Sequence, residues 1–215
     1  MKLEIWLDYL SPLCYKQHKN LENLLNKYQF KDLEILYRSY EMIPFFKPEK
    51  DCTFHRILSK HHMISEEEAI SISENMTDDL MPVEVIDAHR LSHLAKKESC
   101  AYFYNKNLYH AYYVEHKDIS NHDVLRQIGI ESGIGLKEIN EVLSSNLYEK
   151  QVQSNRENAI VKGIFELPHM RIDGKYKLSG FHDENDLLKQ FKHANAQYKQ
   201  SEYCEGENCN RKKAK

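Results

Sequence analysis

The chain has 215 residues, of which 41% are hydrophobic and 29% charged, with only 7 glycines and 5 prolines. This composition supplies a core and excludes collagen-like and wholly disordered chains. Lys and Arg total 30 against 33 Asp and Glu, a formal charge of −3. No basic excess points to nucleic acid or an anionic membrane as a partner, and no apolar run approaches the ~18 residues of a membrane span.

The first eight residues carry Glu4 and Asp8 where a secretory signal would have a basic start and an apolar stretch. The expectation is a mature cytoplasmic start. Leu3, Ile5 and Leu7 alternate with Glu4, Trp6 and Asp8, a strand pattern. Ser11-Pro12 then opens a helix, with serine at the N-cap and proline at the first helical position. Cys14, His18, Leu21, Leu25 and Tyr28 follow on one face of it. Leu33 to Tyr37 reads as a second strand, completing a β-α-β unit and hence a parallel pair.

From about residue 53 the pattern is helical for a hundred residues. Ser65 and Glu68 form a capping box. Helices are predicted over 84–97, 99–115, 121–132, 136–145 and 147–163, with Gly133, Gly135 and Gly163 as stops. Met170 to Ile172 and Tyr176 to Leu178 flank Asp173-Gly174, a strong hairpin signal, and a helix over 183–197 follows. The expected fold class is α/β, with a discontinuous domain (1–48 and 155–198), an all-helical insertion (49–154) and a polar tail (199–215).

Ser11-Pro12-Leu13-Cys14 lies where a strand gives way to a helix, and free N–H groups at such a junction stabilise an anion. The same residues read equally as a capping serine and a small buried cysteine. The five cysteines (Cys14, Cys52, Cys100, Cys204, Cys209) are too few for a disulfide scaffold, and Cys52 and Cys100 read as structural. Cys204 and Cys209 form a C-x4-C whose Gly206 and Asn208 permit a tight turn; a dithiol and two incidental thiols both fit it. Among 12 histidines, Cys14 with His18 and His89 with His93 have the i, i+4 spacing of a chelate. Both pairs lack a third ligand, as do His61-His62 and His182, so no metal is expected. Tyr102, Phe103, Tyr104, Tyr109, Tyr112 and Tyr113 read as helix-packing residues, some of them walling a cleft over Ser11.

Asp8-Tyr9-Leu10-Ser11-Pro12-Leu13-Cys14-Tyr15 resembles the active-site segment of DsbA-family thiol–disulfide oxidoreductases, where C-P-W-C-Y is usual. Asp87-Ala88-His89-Arg90-Leu91, Asp118-Ile119-Ser120, and Ala159 through Pro168 with Arg171-Ile172-Asp173 and Ser179-Gly180 resemble segments of its FrnE-like branch. The resemblance spans about residues 3–195 and implies a thioredoxin fold interrupted by helices. It places Ser11 where the family has its nucleophilic cysteine and Cys14 where it has the resolving one. It implies a cis peptide bond at Pro168, with Leu167 and Pro12 against an extended substrate, and a redox role for Cys204 and Cys209. A serine cannot form a disulfide, so three readings follow. The first is an oxidoreductase of protein or small-thiol substrates, impaired at its main site. The second is a relative of 2-hydroxychromene-2-carboxylate isomerases and kappa-class glutathione transferases that uses Ser11 and takes glutathione as co-substrate. The third is a redox-inactive adaptor.

Overall fold

The computed structural model describes residues 1–44, 46–47, 80–194 and 196, isolated positions between 55 and 71, and the backbone of 198–200. The expected domain border at 48/49, Cys52, His61-His62, Glu68 of the capping box, and Cys204 and Cys209 of the tail lie outside these residues.

Strand β1 (Lys2–Leu7) is the centre of a four-stranded sheet. It runs parallel to β3 (Glu34–Ser39) and antiparallel to β4 (His169–Ile172), and β4 pairs with β5 (Tyr176–Ser179) in the order β3-β1-β4-β5. A central strand is covered on both faces. Trp6, which alternation assigns to the polar side, is therefore buried, and Asp8, one residue past the strand, is buried as well. Trp6 meets His169 edge-on at 5.6 Å, and the cationic heads of Arg171 and Lys162 lie 5.4 and 5.7 Å from its ring.

Helix α1 (Pro12–Lys27) leads from β1 toward β3. Its buried residues include Cys14, His18 and Leu21 as expected, but also Gln17, Glu22 and Leu24, while Leu25 is only half-buried. The stripe is wide because α1 packs against two helices, α3 (Ala101–Tyr113) and α7 (Glu184–His193). Gln17 is legible only in three dimensions. Its amide donates to the His182 carbonyl (3.1 Å) and accepts from the His182 N–H (2.7 Å), fixing the approach to α7. Tyr28, expected on the helix face, instead begins β2 (Tyr28–Phe30), which pairs with β6 (Tyr198–Gln200). Three-residue strands carry no detectable periodicity. The C-terminal helix stops at His193, not 197, because the chain leaves it to join this small sheet; β6 therefore crosses the expected tail border at 198/199.

Between β3 and β4 run α2 (Ile86–Lys97), α3, α4 (His122–Glu131), α5 (Leu136–Leu143) and α6 (Glu149–Val161). Helix α2 packs on α3, α5, α6 and β3, and α6 also lies against β3. Arg90 ties this group together. Its guanidinium donates to the carbonyls of Val142, Ser145 and Leu147 and pairs with Asp87, holding the exit of α5 against α2. The β4–β5 hairpin is joined by Asp173, Gly174 and Lys175; Asp173 (φ 49°) and Gly174 (φ 69°) are both left-handed, and the Lys175 N–H closes the turn on the Ile172 carbonyl (3.0 Å). No helix among the described residues is long and apolar enough to cross a membrane.

Candidate active site at the start of the first helix

Ser11 caps α1. Its backbone is extended (φ −90°, ψ 112°), its Oγ accepts from the Cys14 N–H at 3.2 Å, and Pro12 occupies the first helical turn. The Ser11 N–H donates to the Asp8 carbonyl (3.3 Å), so the strand closes a tight turn before the helix begins. The sequence places serine here for a local reason. Its short side chain satisfies a helix N–H that would otherwise be buried without an acceptor.

Asp8 organises the turn from below. It is fully buried; Oδ1 accepts from the Leu10 N–H (3.0 Å) and Oδ2 from the Met42 N–H (2.5 Å). His89 of α2, also fully buried, brings Nε2 to 3.7 Å from Asp8 Oδ1 and lays its ring 4.5 Å from that of Tyr9. Tyrosines of α3 close the other side. Tyr109 donates to the Asp8 carbonyl (3.3 Å) and Tyr113 to the Tyr9 carbonyl (3.1 Å), while Tyr9 donates to Asn105 Oδ1 (2.9 Å). Tyr15 stacks on Tyr113 at 4.6 Å with the rings 9° from parallel. Burial drives the hydroxyls of Tyr9, Tyr109 and Tyr113 above the usual tyrosine range. They are neutral hydrogen-bond donors.

Cys14 is 2% exposed. Burial pushes its thiol up to about 12, against the smaller opposing pull of hydrogen bonding from Ser11. A thiol held that high rests protonated at neutral pH. His18, one turn further along α1, is lowered to about 4 by burial and meets the Tyr37 hydroxyl at 3.2 Å. Cys14 and His18 share a helix face but belong to no group of three or more metal-ligating side chains, and the described residues contain no such group.

The Leu167–Pro168 peptide bond is cis. Because Trp6 is the register partner of His169, Pro168 lies beside the C-terminal end of β1, the end that carries Ser11. The Pro168 carbonyl accepts from Gly180 N–H (2.9 Å). Ser11, Pro12, Cys14, Leu167 and Pro168 are thus gathered at one end of the sheet, and all five are buried. Of the insertion aromatics, Tyr104, Tyr109, Tyr112 and Tyr113 are buried, while Phe103 is 59% exposed and faces away from the core. Asp8, Asn105 and Glu41 are polar residues of this region to which sequence reasoning assigned no role, and His89 enters there only as a chelate with His93 and as part of a family-like segment. For Asp8 the signal was an acid at the end of an otherwise apolar strand.

A family model described as DSBA-like thioredoxin domain matches residues 2–193. No curated protein matches the chain. Among solved structures, a probable DsbA oxidoreductase from Streptomyces coelicolor superposes with a TM-score of 0.75 at 23% identity, covering 90% of this chain and 89% of that one. The cytosolic disulfide reductase DsbM from Pseudomonas aeruginosa has a TM-score of 0.66 at 15% identity, covering 91% and 98%. A 2-hydroxychromene-2-carboxylate isomerase has 0.62 at 18%, covering 91% and 94%. At these identities the likeness is one of fold.

Proposed function

The chain belongs to the DSBA-like thioredoxin domain family, and from that premise we propose that it is a FrnE-like thiol–disulfide oxidoreductase whose main site binds protein or small-thiol substrates but cannot complete their exchange. The observation that carries this is the pairing at the head of α1, where a hydroxyl, Ser11 Oγ, caps the helix against a buried thiol pushed up to about 12.

In a complete exchange, a thiolate at position 11 attacks one sulfur of a substrate disulfide, and the first substrate thiolate leaves. The Cys14 thiolate then attacks the sulfur at position 11 and the second substrate thiolate leaves. The protein dithiol has lost two electrons and the substrate has gained them. With Ser11 no mixed disulfide forms, and Cys14 has no partner at the site. Binding remains: an extended strand pairs with the backbone at Leu167 beside Pro168, by β-augmentation, and Pro12 flanks it. In this reading Cys204 and Cys209 form the auxiliary dithiol, no cofactor is needed, and the protein works in the cytoplasm, where an unpaired Cys14 stays reduced.

The test is Ser11→Cys assayed beside the unaltered protein for insulin reduction. The variant should form a disulfide with Cys14 and turn over, its new thiol titrating below the free value of about 8.5 at the helix N-terminus; the serine form should be almost inactive. Equal activity in both forms moves the chemistry to the tail. An inactive variant beside glutathione-dependent turnover by the serine form assigns Ser11 to an isomerase or transferase instead.

A further inference from the structure

A cleft of about 310 Å³ lies between the chain that leaves β3 and helix α6. That volume is at the small end for a ligand site. Four glutamates line it, Glu41, Glu84, Glu149 and Glu157, against one cation, Arg156. Arg156 is committed to the wall: its Nε donates to the Glu41 carbonyl (2.9 Å) and its guanidinium sits over the Tyr40 ring at 5.9 Å. Gln153 Nε2 donates to Glu157 Oε1 at 2.8 Å.

Glu41 is different. It is only 8% exposed, yet its carboxyl makes no hydrogen bond or ion pair with any described residue. A carboxyl held mostly out of water, with only the cleft to hydrate it, is costly to ionise. Burial accordingly raises its affinity for a proton, with Asp8 and Glu84 adding to the effect and His89 and Arg156 opposing it. The excess of acids and a largely buried carboxyl that meets no donor of the described residues and lines the cleft suit a ligand that brings both positive charge and N–H donors. The glutamates are too dispersed to chelate: among the described residues no three metal-ligating side chains converge. Pro44 and Ile86 supply an apolar wall beside them.

We propose that this cleft binds an aliphatic ammonium group, its N–H donors directed at the Glu41 carboxyl and its methylene stem laid along Pro44 and Ile86. An ammonium offers three donors on a flexible stem, the shape of a lysine side chain or of one end of a free diamine. The site is distinct from the thiol chemistry at position 11 and does not depend on it.

The experiment is calorimetric titration at low ionic strength with two probes, 1,5-diaminopentane and the capped tripeptide acetyl-Gly-Lys-Gly-amide. Both the unaltered protein and Glu41→Gln are titrated. Saturable binding should weaken at least about tenfold in Glu41→Gln, the effect of losing one hydrogen bond to a charged group. Binding should vanish for the same peptide acetylated on Nζ. Preference for the peptide identifies a lysine of a polypeptide, and preference for the diamine a free amine. No saturable binding of either probe overturns the proposal, as does equal affinity in Glu41→Gln or equal binding of the acetylated peptide. Should thermal unfolding show that Glu41→Gln does not fold, Glu84→Gln, at an exposed position on the rim, decides: an unchanged affinity there overturns it.

Discussion

Two buried acids stand side by side at the end of the sheet and do opposite things. Asp8 receives the N–H groups of Leu10 and Met42, so every step of the turn into α1 runs through it. Glu41, the residue before Met42, is nearly as buried and receives none. A carboxyl whose acceptors are filled by backbone is part of the scaffold; one whose acceptors are empty and face a cleft is available to a ligand. The Ser11 turn therefore reads as a rigid platform, and the Glu41 cleft as the adaptable surface beside it.

The largest effect should come from Asp8→Ala. It leaves two buried N–H groups without acceptors, each worth about 1–3 kcal/mol, so a loss of about 2–6 kcal/mol is expected in urea denaturation. Glu41→Gln should change stability by no more than about 1 kcal/mol, since it breaks no bond. Similar losses in both variants would dissolve the contrast.

Acid should also loosen the platform. His18 titrates at about 4 when folded against about 6.5 when unfolded. Between those values the unfolded chain binds the extra proton, so stability is intact above pH 6.5 and falls as pH drops toward 4, by about 3 kcal/mol from this group. Denaturation midpoints measured across pH 4–7 should show a slope to which His93 and His169, also lowered to about 4 by burial, add their own shares, and His18→Gln should remove the His18 share. A slope unchanged by the substitution would separate His18 from the acid response.

A smaller change is expected from Ser11→Ala, which removes the cap from the Cys14 N–H and should cost about 1 kcal/mol. That result would confirm a structural duty for the hydroxyl independent of any chemistry. Smallest of all is the signal from Cys14 itself. With its thiol held at about 12, peptide-resolved mass spectrometry should find Cys14 unalkylated by iodoacetamide at pH 8 in the native protein and alkylated once urea unfolds it. Rapid native labelling would mean that the platform opens.

Much of this was legible in the residues themselves. Ser11-Pro12 starts a helix because a short oxygen-bearing side chain and a preset φ suit its first turn, and Asp173-Gly174 turns a hairpin because both residues tolerate positive φ. The motifs from Asp8 to Gly180, in their order, carried the family. These are local signals, set by neighbours a few residues apart. What the tertiary structure alone decided is whatever depends on distant partners. Trp6 is buried because a central strand is covered twice, and Asp8 because α2 and α3 close over the turn that follows it. Tyr28 leaves the helix face for a strand, paired with Gln200, 172 residues further along the chain. Gln17 spends its amide on the backbone of His182, and the raised thiol of Cys14 reflects tyrosines of an inserted helix packed over it. Glu41 stands out by being largely buried while its carboxyl meets no donor among the described residues, and burial is a property of the packed molecule, not of the chain.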